Sequence, residues 1–94
     1  MSIYLTVTIK GKVEKVEELK AILLDMVVNS RREEACLQYD LHQQVEENIF
    51  IFHEEWASQA GLDAHNNQTY IKAFGEKSKD LANEIVIYST EKLA

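Results

Sequence analysis

The stretch "FHEEWASQAGLDAHNNQTY", Phe52 to Tyr70, sets a tryptophan and a histidine nine residues apart, close to two glutamates. An imidazole titrates near neutral pH and is the side chain best suited to moving a proton there. An indole offers a broad aromatic wall and one N–H donor. Glu54 lies two residues before Trp56 and on one strand face with Phe50 and Phe52. A carboxylate among aromatic rings must be paired or hydrogen-bonded, since desolvation otherwise raises its pKa. It is placed to orient a helix or the imidazole, or to pair with a lysine across the sheet. Each residue also has a purely structural reading. His65 can cap helix-end carbonyls or pack, and Trp56 can fill the core with its N–H on a backbone carbonyl.

Other chemistries lack support. His42, His53 and His65 show no metal-ligand spacing, and no phosphate-cradling glycine loop or GxGxxG occurs. We therefore expect no metal and no nucleotide or flavin cofactor. Cys36 has no CxxC partner and stands between apolar neighbours, as a structural thiol would.

These residues must be positioned by a small framework. Ninety-four residues, 46% hydrophobic and 28% charged, suit one globular domain over 1–94. The net charge of −6, with lysines interleaved among glutamates, argues against a nucleic-acid surface. No apolar run approaches the ~20 residues of a membrane span. The start "MSIYLTVTIKGKVEK" lacks the parts of a signal peptide, and the single cysteine agrees with a reducing compartment. We expect a cytoplasmic protein.

Ile3 to Ile9 alternates as a strand, and "KGK" follows as a turn. From Val13 to Arg32, Val16, Leu19, Ile22, Leu23, Met26 and Val27 recur at helical spacing. Cys36–Gln43 and Ile49–Trp56 read as a hairpin joined by "QVEEN". Ser58 is a candidate N-cap for a short helix ending near His65. A further helix spans Thr69 to Ala82, and a strand Glu84 to Ser89. This β-α-β-β-α-β order is the ferredoxin-like arrangement, an α+β fold with helices on one face of a four-stranded antiparallel sheet. "IFIF" and "IVIY" are apolar on both faces, and two helices cover only one. A second copy packed sheet to sheet would cover the other; a closed ligand cavity in a monomer is the alternative.

The order glutamate-x-tryptophan, then leucine, then histidine three residues later, filled by Glu54, Trp56, Leu62 and His65, resembles the signature of the antibiotic biosynthesis monooxygenase family. Glu33, Cys36 and Tyr39 in "SRREEACLQYDL" are similar to that family's segment leading into the second strand. The resemblance covers most of the chain. It departs at Ala35, where the family has glycine, and at Tyr70, where many members carry a second histidine. The resemblance implies a homodimeric α/β barrel with a pocket between sheet and helices in each subunit. Well-known members oxidise phenolic or hydroquinone compounds with O2, without metal or flavin. It implies His65 and Trp56 as catalytic residues, and Tyr70, Phe74, Glu54, Phe52 and Tyr39 as contacts to a small aromatic substrate. Relatives that degrade haem or isomerise a phosphorylated sugar share the fold, as would a non-catalytic ligand-binding or stress-linked dimer. The first strand lacks the asparagine expected for haem, and the acidic composition gives no sign of a cationic sugar-phosphate pocket.

Overall fold

Period-two alternation puts Ile3, Leu5, Val7 and Ile9 on one face of strand β1 (Ile3–Gly11), with Val7 and Ile9 buried. The computed structural model describes residues 2–45 and 47–94. Glu46, in the expected "QVEEN" turn, and Met1 lie outside the described residues. The described residues form strands β1, β2 (Cys36–Gln43), β3 (Ile49–Trp56) and β4 (Ala82–Thr90), with helices α1 (Val16–Arg31), α2 (Gln59–Asn66) and α3 (Thr69–Leu81). The sheet order is β2-β3-β1-β4, antiparallel throughout. This is the ferredoxin-like α+β arrangement expected from the pattern.

Register decides which side chains meet. Leu5 lies opposite Glu54, and Glu54 opposite Tyr39; Val7 lies between Phe52 and Ile87. Paired residues share a face, so this row, with Phe50 and Trp56, forms the floor on which the helices pack. From α1 come Leu19, Leu23, Met26, Val27 and Ser30, all buried. Leu19 and Leu23 are fully buried, worth about 1.5–3 kcal/mol each.

Three boundaries differ from the sequence expectation. α1 starts at Val16, after a 3-10 turn over Val13–Lys15, because Val13 lies off the apolar stripe and is 77% exposed. "KGK" is not a free turn: β1 continues through Gly11 with a register shift at Lys10/Gly11, and the Gly11 N–H donates to the Asn48 carbonyl. Leu19 approaches so closely that a Cβ on Gly11 would sit 2.8 Å from it. Finally, α3 runs directly into β4, which begins at Ala82 rather than Glu84.

The helices stop short of the β4 edge. Ile85 and Ile87 face the helical side yet are 39% and 65% exposed. The opposite sheet face carries Tyr4, Ile51, His53, Val86 and Tyr88, with Tyr88 51% exposed.

Candidate functional site

Strand β3 ends at Trp56, and Ser58 caps α2 by accepting the Gly61 N–H at 3.0 Å. That short connection aims one face of α2 at the sheet. Leu62 and His65, one turn apart, are both buried on it. The His65 ring lies against Trp56, centroids 4.3 Å apart, and Tyr39 approaches it edge-on at 5.6 Å.

The imidazole's carboxylate partner is Glu33, not Glu54. Glu33 stands in the loop between α1 and β2, where its N–H donates to the Ser30 carbonyl and its carbonyl accepts the Cys36 N–H. Its Oε2 lies 2.7 Å from His65 Nδ1 and also accepts the Tyr70 hydroxyl. Ser30 Oγ, fully buried, is 3.1 Å from the same hydroxyl. A carboxylate accepts, so this contact suits the tautomer in which Nδ1 donates and Nε2 is left as the acceptor nitrogen. Among the described residues no protein group bonds to Nε2.

Glu54 has a separate arrangement. Its Oε1 accepts the Trp56 indole N–H at 3.0 Å. Burial opposes its charge more than that one bond supports it, and its pKa is pushed up to about 6. The tyrosines are held neutral: burial raises the pKa of Tyr39, and burial with the Glu33 hydrogen bond raises that of Tyr70. Burial and the neighbouring Glu33 and Glu54 also raise the Cys36 thiol pKa, disfavouring the nucleophilic thiolate.

Of these groups, His65, Glu54 and Tyr39 border a cleft of about 120 Å³ between sheet and helices. Leu5, Val7, Phe52 and Tyr39 line it from the sheet, Met26 and Phe74 from the helices, and Ile85 and Ile87 along β4. Its polar lining residues are His65, Glu54, Asn66 and Tyr39. Of the residues singled out in the sequence, His65, Glu54, Phe52, Tyr39 and Phe74 meet here. Trp56 does not reach the cleft: it is wholly buried behind His65, with its N–H engaged by Glu54. Tyr70 turns away from the cleft to Glu33 and Ser30. Glu33, Ser30 and Met26 were given no site role by the sequence. Glu33 stood in the segment carrying the resemblance, so its signal was present without a partner. Among the described residues no group of three or more His, Cys, Asp or Glu side chains could hold a metal ion, and no helix is long and apolar enough to cross a membrane.

Comparison with known proteins places this geometry. The model of the family described as antibiotic biosynthesis monooxygenase matches residues 2–77. A Bacillus subtilis protein named "Putative monooxygenase YcnE" is 40% identical over 80 residues, 84% of each chain. The crystal structure of PA3566 from Pseudomonas aeruginosa superposes with a TM-score of 0.93 at 32% identity, covering 99% of this chain and 95% of that one. Rv0793 from Mycobacterium tuberculosis shares the fold with a TM-score of 0.93 at 18% identity, covering 100% and 97%. With the family's pattern matched through β1, the hairpin and all three helices as far as Lys77, the chain belongs to the antibiotic biosynthesis monooxygenase family.

Proposed function

We propose that the protein is a cofactor-independent monooxygenase that oxidises a small phenol or hydroquinone with O2. The observation that carries this reading is the His65–Glu33 pair at an apolar, ring-lined cleft. Nε2 of His65 takes the phenolic proton, and Glu33 stabilises the imidazolium that results. The phenolate is electron-rich enough to pass an electron to O2 directly. For a hydroquinone, one oxygen atom of O2 enters the ring to give a hydroxyquinone, and the other leaves as water. The substrate supplies all the electrons, so no metal or flavin takes part. Tyr39 and Phe52 serve as ring walls. Trp56 backs the imidazole, and Glu54, on the Trp56 indole, is the second polar group facing the substrate. Tyr70 acts through Glu33.

The working unit in this reading is a homodimer joined through the outer sheet faces, in the cytoplasm. Support comes from Ile51, Val86 and the half-exposed Tyr88 on a face that carries no helix.

The test is oxygen uptake with a panel of hydroquinones, beside His65→Ala and a protein-free control that measures autoxidation. Uptake well above the control, falling by about 10²–10⁴-fold in the variant, is expected. Uptake equal to the control across the panel would remove quinols as substrates and favour a ligand-binding role.

A further inference from the structure

Two spaces lie on either side of one partition. The inner one is the cleft of about 120 Å³ that contains His65. The outer one is a groove of about 340 Å³ between α1 and α3, bordered by Ala21, Asp25 and Lys77. Met26 and Phe74 line both. The inner cleft is close to the ~150 Å³ at which an apolar cavity takes up a benzene ring, and below the ~300 Å³ at which pockets for larger ligands begin. Its floor cannot widen readily: Val7 and Phe52 are buried in the sheet, where packing is dense. Its roof is the side-chain pair Met26 and Phe74. Its open side runs along the exposed Ile85 and Ile87.

We propose that Met26 and Phe74 set substrate width, so that the cleft takes a single aromatic ring end-on against His65 and excludes fused rings. This rests on the cleft being the substrate site, as in the proposed function, and names the substrate class as monocyclic phenols. Ring substituents opposite the reacting hydroxyl leave through the mouth along β4. Removing either partition residue joins the cleft to the α1–α3 groove and lifts the limit.

The experiment reads binding, not turnover, so that its outcome is separable from that of the oxygenase reading. Phenol and 1-naphthol are titrated by amide chemical-shift perturbation into the wild-type protein, Phe74→Ala and Met26→Ala. The larger apolar surface of 1-naphthol favours it wherever it fits. The wild type is expected to bind phenol at least tenfold more tightly than 1-naphthol, and each variant to reverse that order. Should Phe74→Ala fail to fold, Met26→Ala decides. Wild-type protein that binds 1-naphthol as well as phenol, a ratio unmoved by the folded variants, or no binding of either ligand would overturn the proposal. The expected order without oxygen uptake would leave the width rule standing and remove only the oxidation.

Discussion

At the scale of single residues, two carboxylates have different partners: Glu54 holds the Trp56 indole and Glu33 the His65 ring. Glu54 is buried with one hydrogen bond, and its pKa rises from 4.5 to about 6. The folded state therefore favours its neutral form. Any stability gained this way is present below pH 4.5 and lost as pH rises towards 6. Above that range the charged form opposes folding by roughly 2 kcal/mol. Glu54→Gln keeps an acceptor for the Trp56 indole and removes the charge. Urea unfolding should show the variant gaining on the wild type between pH 4.5 and 6 and holding that gain above it; a constant difference across the range would refute the assignment. Glu33 has the opposite task, since it must remain an acceptor for Nδ1. Glu33→Gln should lower kcat by about 100-fold with little change in KM. A purely structural role would instead lower stability and leave kcat of the folded protein unchanged. The sequence made His65 and Glu54 conspicuous, because local spacing on one helix and one strand face defines them. It offered Glu54 as a partner for His65 and missed Glu33, because Glu33 is 32 residues away and reaches the ring only once the hairpin brings the α1–β2 loop against α2.

At the scale of elements, the periodic segments were readable and their junctions were not. Alternation in β1 and β3, the 3.6-residue stripe of α1 and the Ser58 cap are local signals. The extension of β1 through Gly11 depends on Asn48 and Leu19, both distant in sequence, and no local pattern reveals it. The α2 junction shows how one departure from the family pattern is accommodated. Ala35 packs against Gly61 so closely that a Cβ at 61 would lie 2.3 Å from the Ala35 methyl. Gly61→Ala should therefore cost about 1–3 kcal/mol. In an Ala35→Gly background the nearest remaining atoms are Ser58 Oγ at 3.4 Å and the residue-35 Cα at 3.8 Å, both ordinary contacts. There it should be neutral or stabilising, by up to ~1 kcal/mol, since alanine suits a helix interior better than glycine. A thermal-denaturation double-mutant cycle measures this coupling directly. Equal effects in both backgrounds would mean the two residues do not touch.

For the whole molecule, the proposed dimer interface is the sheet's outer face, which carries Ile51, Val86 and Tyr88 and no helix. Analytical ultracentrifugation should find a dimer, and Ile51→Asp on that face should give a folded monomer. A variant that stays dimeric would place the interface elsewhere, and the exposed Ile85 and Ile87 on the helical side would be the next surface to alter. The strand order carries another consequence. β1 lies at the centre of the sheet, yet one of its partners is β4, far along the chain, with Tyr4 opposite Thr90. As the chain leaves the ribosome, "IYLTVTI" emerges well before β4, and one of its edges waits unpaired until β4 follows. Such long-range closure slows folding. An unprotected, β-prone edge is also a template for joining other chains. Burdens on this protein in the cell should therefore fall during its synthesis, when shielding by a chaperone matters most.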